Sequence, residues 1–144
     1  MSDLSPEDIA LLVAQVPIGI LMPDDATIRL VALTPGVVEA HVGPVAEPVT
    51  THDGIVFWFD ASRSNVSINR MAMLNLLAVS DFSARTVPLL RGCVLATGQR
   101  GGCLEGLTVE QMKAFQRESE PAWWVHWVLH IRVEGDRQRR RRFE

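Results

Sequence analysis

Asp53 and Gly54 form an Asp-Gly pair between two runs rich in apolar residues, and this pair constrains the fold more than any other feature of the chain. Such a pair favours a hairpin turn, because the centre of the turn requires positive φ. The pattern predicts hairpin arms at 41–49 and 55–59. Alternate residues of a strand point to opposite sides, and both sides of the second arm are largely apolar. The second arm is therefore expected at the centre of a sheet.

Length and composition indicate one globular domain with a substantial core. The chain has 144 residues, of which 47% are hydrophobic. We assign the domain to residues 1–136 and a basic tail to 137–144. No apolar run reaches the length of a membrane span, and the first apolar segment follows the acidic start MSDLSPED. We expect a soluble, cytoplasmic protein without a membrane partner, in which Cys93 and Cys103 are reduced thiols.

Charge is distributed unevenly along the chain. Residues 1–60 contain nine acids and one base, whereas residues 61–144 contain eight acids and thirteen bases, so the net charge is −3. Five of the bases are arginines in the tail at 137–144. A basic tail can bind nucleic acid, but specific binding requires a base-reading fold beside the charge, and the sequence indicates none. We therefore interpret the tail as a solvated terminus and do not expect a nucleic-acid partner.

The remaining pattern predicts strands that are not regularly separated by helices. The predicted strands are 18–22, 27–34, 37–49, 55–59, 76–82, 89–97 and 124–133. The predicted helices are 6–15, 64–74 and 108–119, and a capping box formed by Thr108 and Gln111 opens the last of them. Such an order argues against a parallel sheet and for a mostly β, α+β protein, with an antiparallel barrel and helices packed outside it.

The polar segment after the hairpin has the composition of an anion site. It contains Ser62, Arg63, Ser64 and Asn65 at the expected start of a helix. A helix start offers free backbone N–H groups and partial positive charge, and the arginine adds a two-pronged donor. These groups suit a phosphate, although a plain capped helix with a surface arginine explains the four residues equally well.

Several segments stand in a characteristic order between about residues 30 and 100. They are VALT, HVGPV, IVFWF, the Ser-x-Ser-Asn helix entry, LLAVSDF and LLRGCVLATG. In this order they resemble the pyridoxamine 5′-phosphate oxidase-like, FMN-binding split-barrel family. The resemblance implies an antiparallel split β-barrel with a few short peripheral helices. It also implies a homodimer that binds FMN in two clefts between the subunits.

The resemblance further implies which residues would hold the cofactor. The flavin ring would lie along a strand formed by His41, Val42, Gly43, Pro44 and Val45. The phosphate would lie at the helix entry formed by Ser62, Arg63, Ser64 and Asn65, beside Asp60. The implied activity is that of an FMN-dependent oxidoreductase acting on an unidentified small molecule, with a deazaflavin as the alternative cofactor. Hydride transfer belongs to the flavin, so no residue is assigned as catalytic.

Two positions depart from the family pattern. The family usually has Thr or Ser near the position of Asp60, and Lys or Arg at the position of Asn65, just after the serine that matches Ser64. An acid beside a phosphate is unfavourable, because like charges repel at close range. One alternative is therefore a non-catalytic, dimeric split barrel with a decayed flavin site.

A hot-dog-fold acyl-thioesterase is the other alternative. In that interpretation the segment His52, Asp53 and Gly54 stands near the substrate thioester together with Asp60, and a long apolar helix follows Asp60. The segment SRSNVSINRMAML is polar in its first turns, so this alternative is placed second.

His126 and His130 are four residues apart, a spacing that would suit a zinc pair on a helix. On the predicted last strand His126 and His130 would lie about 13 Å apart, which is too far to share a metal ion. No metal site is therefore predicted. Trp123, Trp124 and Trp127 are expected in the core, at a dimer interface or over a flavin.

Overall fold

A computed structural model describes residues 17–23, 27–62, 67–116 and 130–135. The strands in these ranges are β1 (Ile18–Met22), β2 (Arg29–Ala32), β3 (Ala46–Thr50), β4 (Ile55–Asp60), β5 (Val94–Arg100) and β6 (Cys103–Glu105). The helices are α1 (Val37–His41), α2 (Arg70–Val79), α3 (Val109–Gln116) and α4 (130–135). The predicted helix at 6–15, the basic tail and Trp123, Trp124, His126 and Trp127 lie outside the described residues.

The strands form one antiparallel sheet in the order β2-β1-β5-β4-β3. Gly98 of β5 pairs with β4 on one side and with β6 on the other, so β6 lies on the same side of β5 as β1. The sheet confirms the predicted mostly antiparallel α+β class. Its two outer strands, β2 and β3, are not paired with each other, so the sheet of the described residues is open.

The predicted hairpin is present, and β4 is central as expected. Val49 pairs with Phe57 and Thr50 with Val56, and Gly54 has the positive φ of 82° that the turn requires. The first three residues of β4 are buried on both faces of the sheet. The first arm is shorter than predicted, because the strand begins at Ala46.

Residues 37–41 were expected to be extended, and this prediction is wrong because they form α1. The helix follows Gly36, whose φ of 79° turns the chain sharply. Val37 and Val38 are buried against Leu21 and Leu95 on one face of the sheet. Burial of this apolar pair overrides the preference of β-branched residues for strands.

Helix α2 corrects two further predictions. It begins at Arg70 instead of residue 64, and it continues to Val79 through most of the segment predicted as a strand at 76–82. Its cap is Asn69, whose side chain accepts a hydrogen bond from the backbone N–H of Ala72. The buried residues of α2 recur at helical spacing and pack with β1, β4 and β5 on the face opposite α1.

The C-terminal part of the chain agrees with the sequence in one helix and differs elsewhere. Thr108 and Gln111 form the predicted capping box, each side chain bonding to the other's backbone N–H. Strand β5 begins at Val94, five residues later than expected. Residues 130–135 are helical, so the predicted strand at 124–133 is wrong in its described part.

Candidate functional site

The two halves of the predicted cofactor site lie at the same end of the β3–β4 hairpin. Residues 41–45 comprise the end of α1 and the loop that leads into β3. Asp60 ends β4 and pairs with Ala46, the first residue of β3. Ser62 is exposed in the turn that follows. The hairpin register therefore brings the loop and the turn together, whereas Arg63, Ser64 and Asn65 lie outside the described residues.

The segment HVGPV does not form the strand along which a flavin ring was expected to lie. His41 ends α1, Val42 is buried with the helix, and residues 43–45 form a turn. Pro44 and Val45 are exposed, and Val45 retains 52% of its accessible surface. This segment therefore offers a short exposed apolar corner and no extended backbone.

Gly43 and Asp60 are in close contact at this corner. Gly43 has a φ of 134°, and a Cβ built on it would lie 2.8 Å from Oδ2 of Asp60. Asp60 itself is 4% exposed. The contact places a carboxylate against the backbone of the loop, with no room between them for a side chain.

Ser62 directs its hydrogen-bond donors toward Asp60. Oδ1 of Asp60 accepts a bond of 2.9 Å from the backbone N–H of Ser62 and one of 2.6 Å from its hydroxyl group. This side-chain turn ends β4 and satisfies one carboxylate oxygen. The serine that was predicted to donate to a phosphate thus donates to an acid of the chain itself.

The N-terminus of α2 is capped by a side chain of the chain itself, that of Asn69. Nδ2 of Asn69 donates to the carbonyl oxygens of Met22 and Gly92 at 2.7 Å each, while Oδ1 accepts from Ala72. Asn69 precedes the helix by one residue and follows Ser62 by seven. The α2 helix dipole therefore does not begin at the predicted phosphate residues, and its cap joins the helix to β1 and to the loop before β5.

The hot-dog alternative requires His52, Asp53 and Asp60 to converge. His52 and Asp53 lie in the turn before β4 and Asp60 at its other end, so about 17 Å of strand separates them within a protomer. Helix α2 is apolar and packs on the sheet, but it is 10 residues long. The residues of a thioesterase site are therefore not assembled in one protomer.

His52 lies in an exposed polar cluster with two carboxylates. Its Nε2 lies 3.5 Å from Asp53 and its Nδ1 lies 3.3 Å from Asp81, and all three side chains are largely exposed. The imidazole ring lies between the two carboxylates, with one of them at each ring nitrogen. The three side chains therefore do not point toward one common ligand. Among the described residues no group of three or more His, Cys, Asp or Glu could hold a metal ion.

Of the buried polar residues, Asp60 was identified from the sequence as a candidate site residue, whereas Asn69 and Asn75 were not. Asn69 has a recognisable signal, since an Asn directly before an apolar helical run is a common cap. Asn75 is fully buried in α2, where Nδ2 bonds to the carbonyl of Met71 and Oδ1 has no partner. In α4, Arg132 donates to the carbonyl of Ala84 at 2.8 Å, and partial burial lowers the pKa of its guanidinium.

Comparisons of the chain with family models, with curated proteins and with solved structures give no match. The helices of the described residues include none that combines the length and apolar character needed to span a bilayer.

Proposed function

We propose that this chain is a non-catalytic, dimeric interaction domain in which the flavin site implied by the family resemblance has been lost. The observation that carries the proposal is the contact between Gly43 and the buried carboxylate of Asp60. At this corner a flavin phosphate would meet an acid, where the family has a hydroxyl group.

The energetic argument concerns two like charges in a partly buried place. With an effective dielectric constant of about 20, two unit charges about 4 Å apart repel by about 4 kcal/mol. Ser62 does not offset this repulsion, because its N–H and hydroxyl already bond to Asp60. Turning Ser62 toward a phosphate would leave Oδ1 without these two donors.

Three other buried polar side chains, outside the predicted site, also bond within the chain. The hydroxyl of Thr97 accepts from the indole N–H of Trp58 at 3.0 Å, and that of Thr51 accepts from the backbone of Ile55. Asn69 holds three backbone groups. Each of these side chains stabilises the fold through bonds within the chain, so each already has a structural role.

An FMN-dependent oxidoreductase remains the second candidate. The observation in its favour is that the 43–45 loop and the Asp60–Ser62 turn, which the resemblance assigns to the flavin ring and to the phosphate, meet at one end of the hairpin. Arg63, Ser64 and Asn65 follow that turn in the sequence. Under this proposal a split-barrel dimer would bind FMN or a deazaflavin between its subunits, and the cofactor would transfer hydride to or from a small molecule.

The two candidates differ in what restores flavin binding. We would titrate FMN into the wild type and into a variant with Asp60→Thr and Asn65→Lys, with the Asn65→Lys single variant as the matched control. A decayed site predicts saturable binding by the double variant and neither by the wild type nor by the control. Equal binding of FMN by all three proteins would support the oxidoreductase. If the double variant did not bind FMN, the proposal that this corner once formed a flavin site would be contradicted.

A further inference from the structure

The turn between β3 and β4 contains the only Asp-Gly pair of the sequence, which has no Asn-Gly pair. The backbone N–H of Gly54 donates to the carbonyl oxygen of Thr51 at 3.1 Å and closes this turn. The Asp53 side chain retains 63% of its accessible surface, and Gly54 has a positive φ of 82°. The pair therefore lies in a turn that is open to solvent.

An aspartate that precedes a glycine can rearrange its own backbone without an enzyme. The amide nitrogen of the glycine attacks Cγ of the protonated aspartate side chain, and glycine leaves this approach open because it has no Cβ. A bond forms between that nitrogen and Cγ while the bond from Cγ to the hydroxyl oxygen breaks, so the amide proton and the hydroxyl group leave as water. Water then opens the cyclic imide. Its attack at the α-carbonyl carbon gives isoaspartate, in which the main chain runs through Cβ.

Two hydrogen bonds of the folded chain oppose this attack. The reacting nitrogen of Gly54 is the donor to Thr51, and the carbonyl oxygen of Asp53 accepts from Nε2 of Gln111 at 2.9 Å. The nitrogen reaches Cγ only when the peptide group between Asp53 and Gly54 rotates. Because that rotation turns the N–H and the carbonyl away from their partners, both bonds have to break before the imide forms.

Gln111 reaches the turn from the start of α3. Its Oε1 accepts from the backbone N–H of Thr108 in the capping box at 2.9 Å, which leaves Nε2 to donate to Asp53. A Cβ added to Gly54 would lie 3.9 Å from the same Nε2, so the amide group lies beside the Asp-Gly pair. One side chain therefore joins the cap of α3 to the peptide group that has to rotate.

We propose that Asp53 is a site of spontaneous isoaspartate formation and that the amide of Gln111 restrains the reaction in the folded chain. The inference does not depend on the proposed function, because Asp53 lies at the end of the hairpin opposite Asp60. The product adds a methylene group to the backbone of the turn that joins β3 to β4. Each event therefore lengthens the turn of a hairpin whose second strand is central to the sheet.

Gln111→Glu separates the restraint from the helix cap. Glutamate keeps the oxygen that accepts from Thr108, as a capping box allows, but it has no N–H to donate to the carbonyl of Asp53. Gln99→Glu makes the same change of charge at an exposed position on β5 and is the matched control. Asp53→Glu keeps a carboxylate in the turn and removes the aspartate that forms the imide, so it verifies the assignment of the modified position.

The proteins are incubated at neutral pH, and isoaspartate at position 53 is quantified over time by proteolysis, liquid chromatography and electron-transfer fragmentation. The synthetic peptide TTHDGIV, residues 50–56, gives the rate in the absence of the fold. We expect the peptide to react fastest and the wild type and Gln99→Glu slowest. Gln111→Glu should react about two- to tenfold faster than the wild type, which is the range that the loss of one hydrogen bond gives. Asp53→Glu should give no isoaspartate at this position.

Two results would overturn the restraint by Gln111: a wild type that reacts as fast as the peptide, or a Gln111→Glu variant that reacts at the wild-type rate. If neither the peptide nor Gln111→Glu formed isoaspartate at position 53, the site itself would be overturned. Far-UV circular dichroism and thermal unfolding show whether Gln111→Glu folds, and the comparison of the wild type with the peptide does not depend on that variant. FMN titration tests the loss of the flavin site independently of all these rates.

Discussion

The carboxylate of Asp60 occupies the space that a side chain on Gly43 would need, with 2.8 Å between Oδ2 and an added Cβ. Gly43 also has a φ of 134°, which L side chains rarely adopt. Position 43 is thus restricted to glycine by its backbone and by its contact with an acid. The contact joins the loop before β3 to the end of β4 and closes the corner at which a cofactor was expected.

Replacing Gly43 by alanine should destabilise the protein strongly. The methyl group would force Asp60 or the loop to move, and the backbone would be strained as well. We expect Gly43→Ala to lower the free energy of unfolding by about 2–4 kcal/mol, measured by urea denaturation.

Gly101 provides the control for this prediction. It has a φ of 58°, and an added Cβ would meet nothing within 4 Å. Gly101→Ala should therefore cost only the backbone strain, about 1 kcal/mol. If Gly43→Ala and Gly101→Ala lowered the free energy of unfolding equally, the contact with Asp60 would not contribute to the loss at position 43. Adding Asp60→Ser to Gly43→Ala should recover part of the loss.

Asn69 should be among the most sensitive polar positions. Its side chain bonds to backbone groups of Met22, Ala72 and Gly92, and it is buried. Asn69→Ala would leave these groups without partners and remove the α2 cap. We expect a loss of about 2–4 kcal/mol in chemical denaturation.

Asn75 should respond in the opposite direction to the same kind of change. Its Oδ1 has no hydrogen-bond partner although the residue is fully buried. Asn75→Leu keeps the branched outline of the side chain and removes an unsatisfied polar atom, and the gain in apolar burial offsets the cost of the larger methyl groups, so the free energy of unfolding should stay equal or rise by up to about 1 kcal/mol. A loss as large as that of Asn69→Ala would show that Asn75 has a partner that its geometry does not reveal.

The bond between Trp58 and Thr97 gives a spectroscopic prediction. Trp58 is half-buried, and its indole N–H donates to the hydroxyl of Thr97. Thr97→Val keeps the side-chain shape and removes the acceptor, so we expect a loss of about 1–2 kcal/mol together with a shift in tryptophan emission. Thr50→Val, on the exposed outer strand, is the control and should change neither quantity.

The parts of the fold that the sequence predicted are those determined by local chemistry. The Asp53-Gly54 turn and the Thr108 capping box act over a few residues, and both are present. The central position of β4 followed from apolar residues on both of its faces. In contrast, the helical state of Val37 and Val38 depends on Leu21 and Leu95, which are distant in the sequence.

The α2 boundary was missed for a different reason. Several residues between 60 and 65 could cap a helix, and the periodicity of LLAV does not distinguish a buried helix from a buried strand. Asn69 is selected because its amide also reaches Met22 and Gly92, which only the folded chain brings close. The local sequence does not show which candidate cap is used, because the choice depends on hydrogen bonds to residues that are distant in the sequence.

The candidate site could be predicted in position but not in chemistry. Hairpin pairing places residues 43–45 near Asp60 and Ser62 for any register close to the observed one. Whether Asp60 faces solvent or is buried against Gly43 depends on the loop conformation after α1. That conformation was not foreseen, because α1 itself was expected to be a strand.

A titration of the purified wild-type chain with FMN, followed by visible absorption and flavin fluorescence, tests the central claim most directly. The account predicts a colourless protein that does not saturate with FMN, because the buried Asp60 carboxylate lies where the family resemblance would place the flavin phosphate. A flavin spectrum in the purified protein, or saturable binding that Arg63→Ala abolishes, would contradict the account and establish the oxidoreductase candidate in its place.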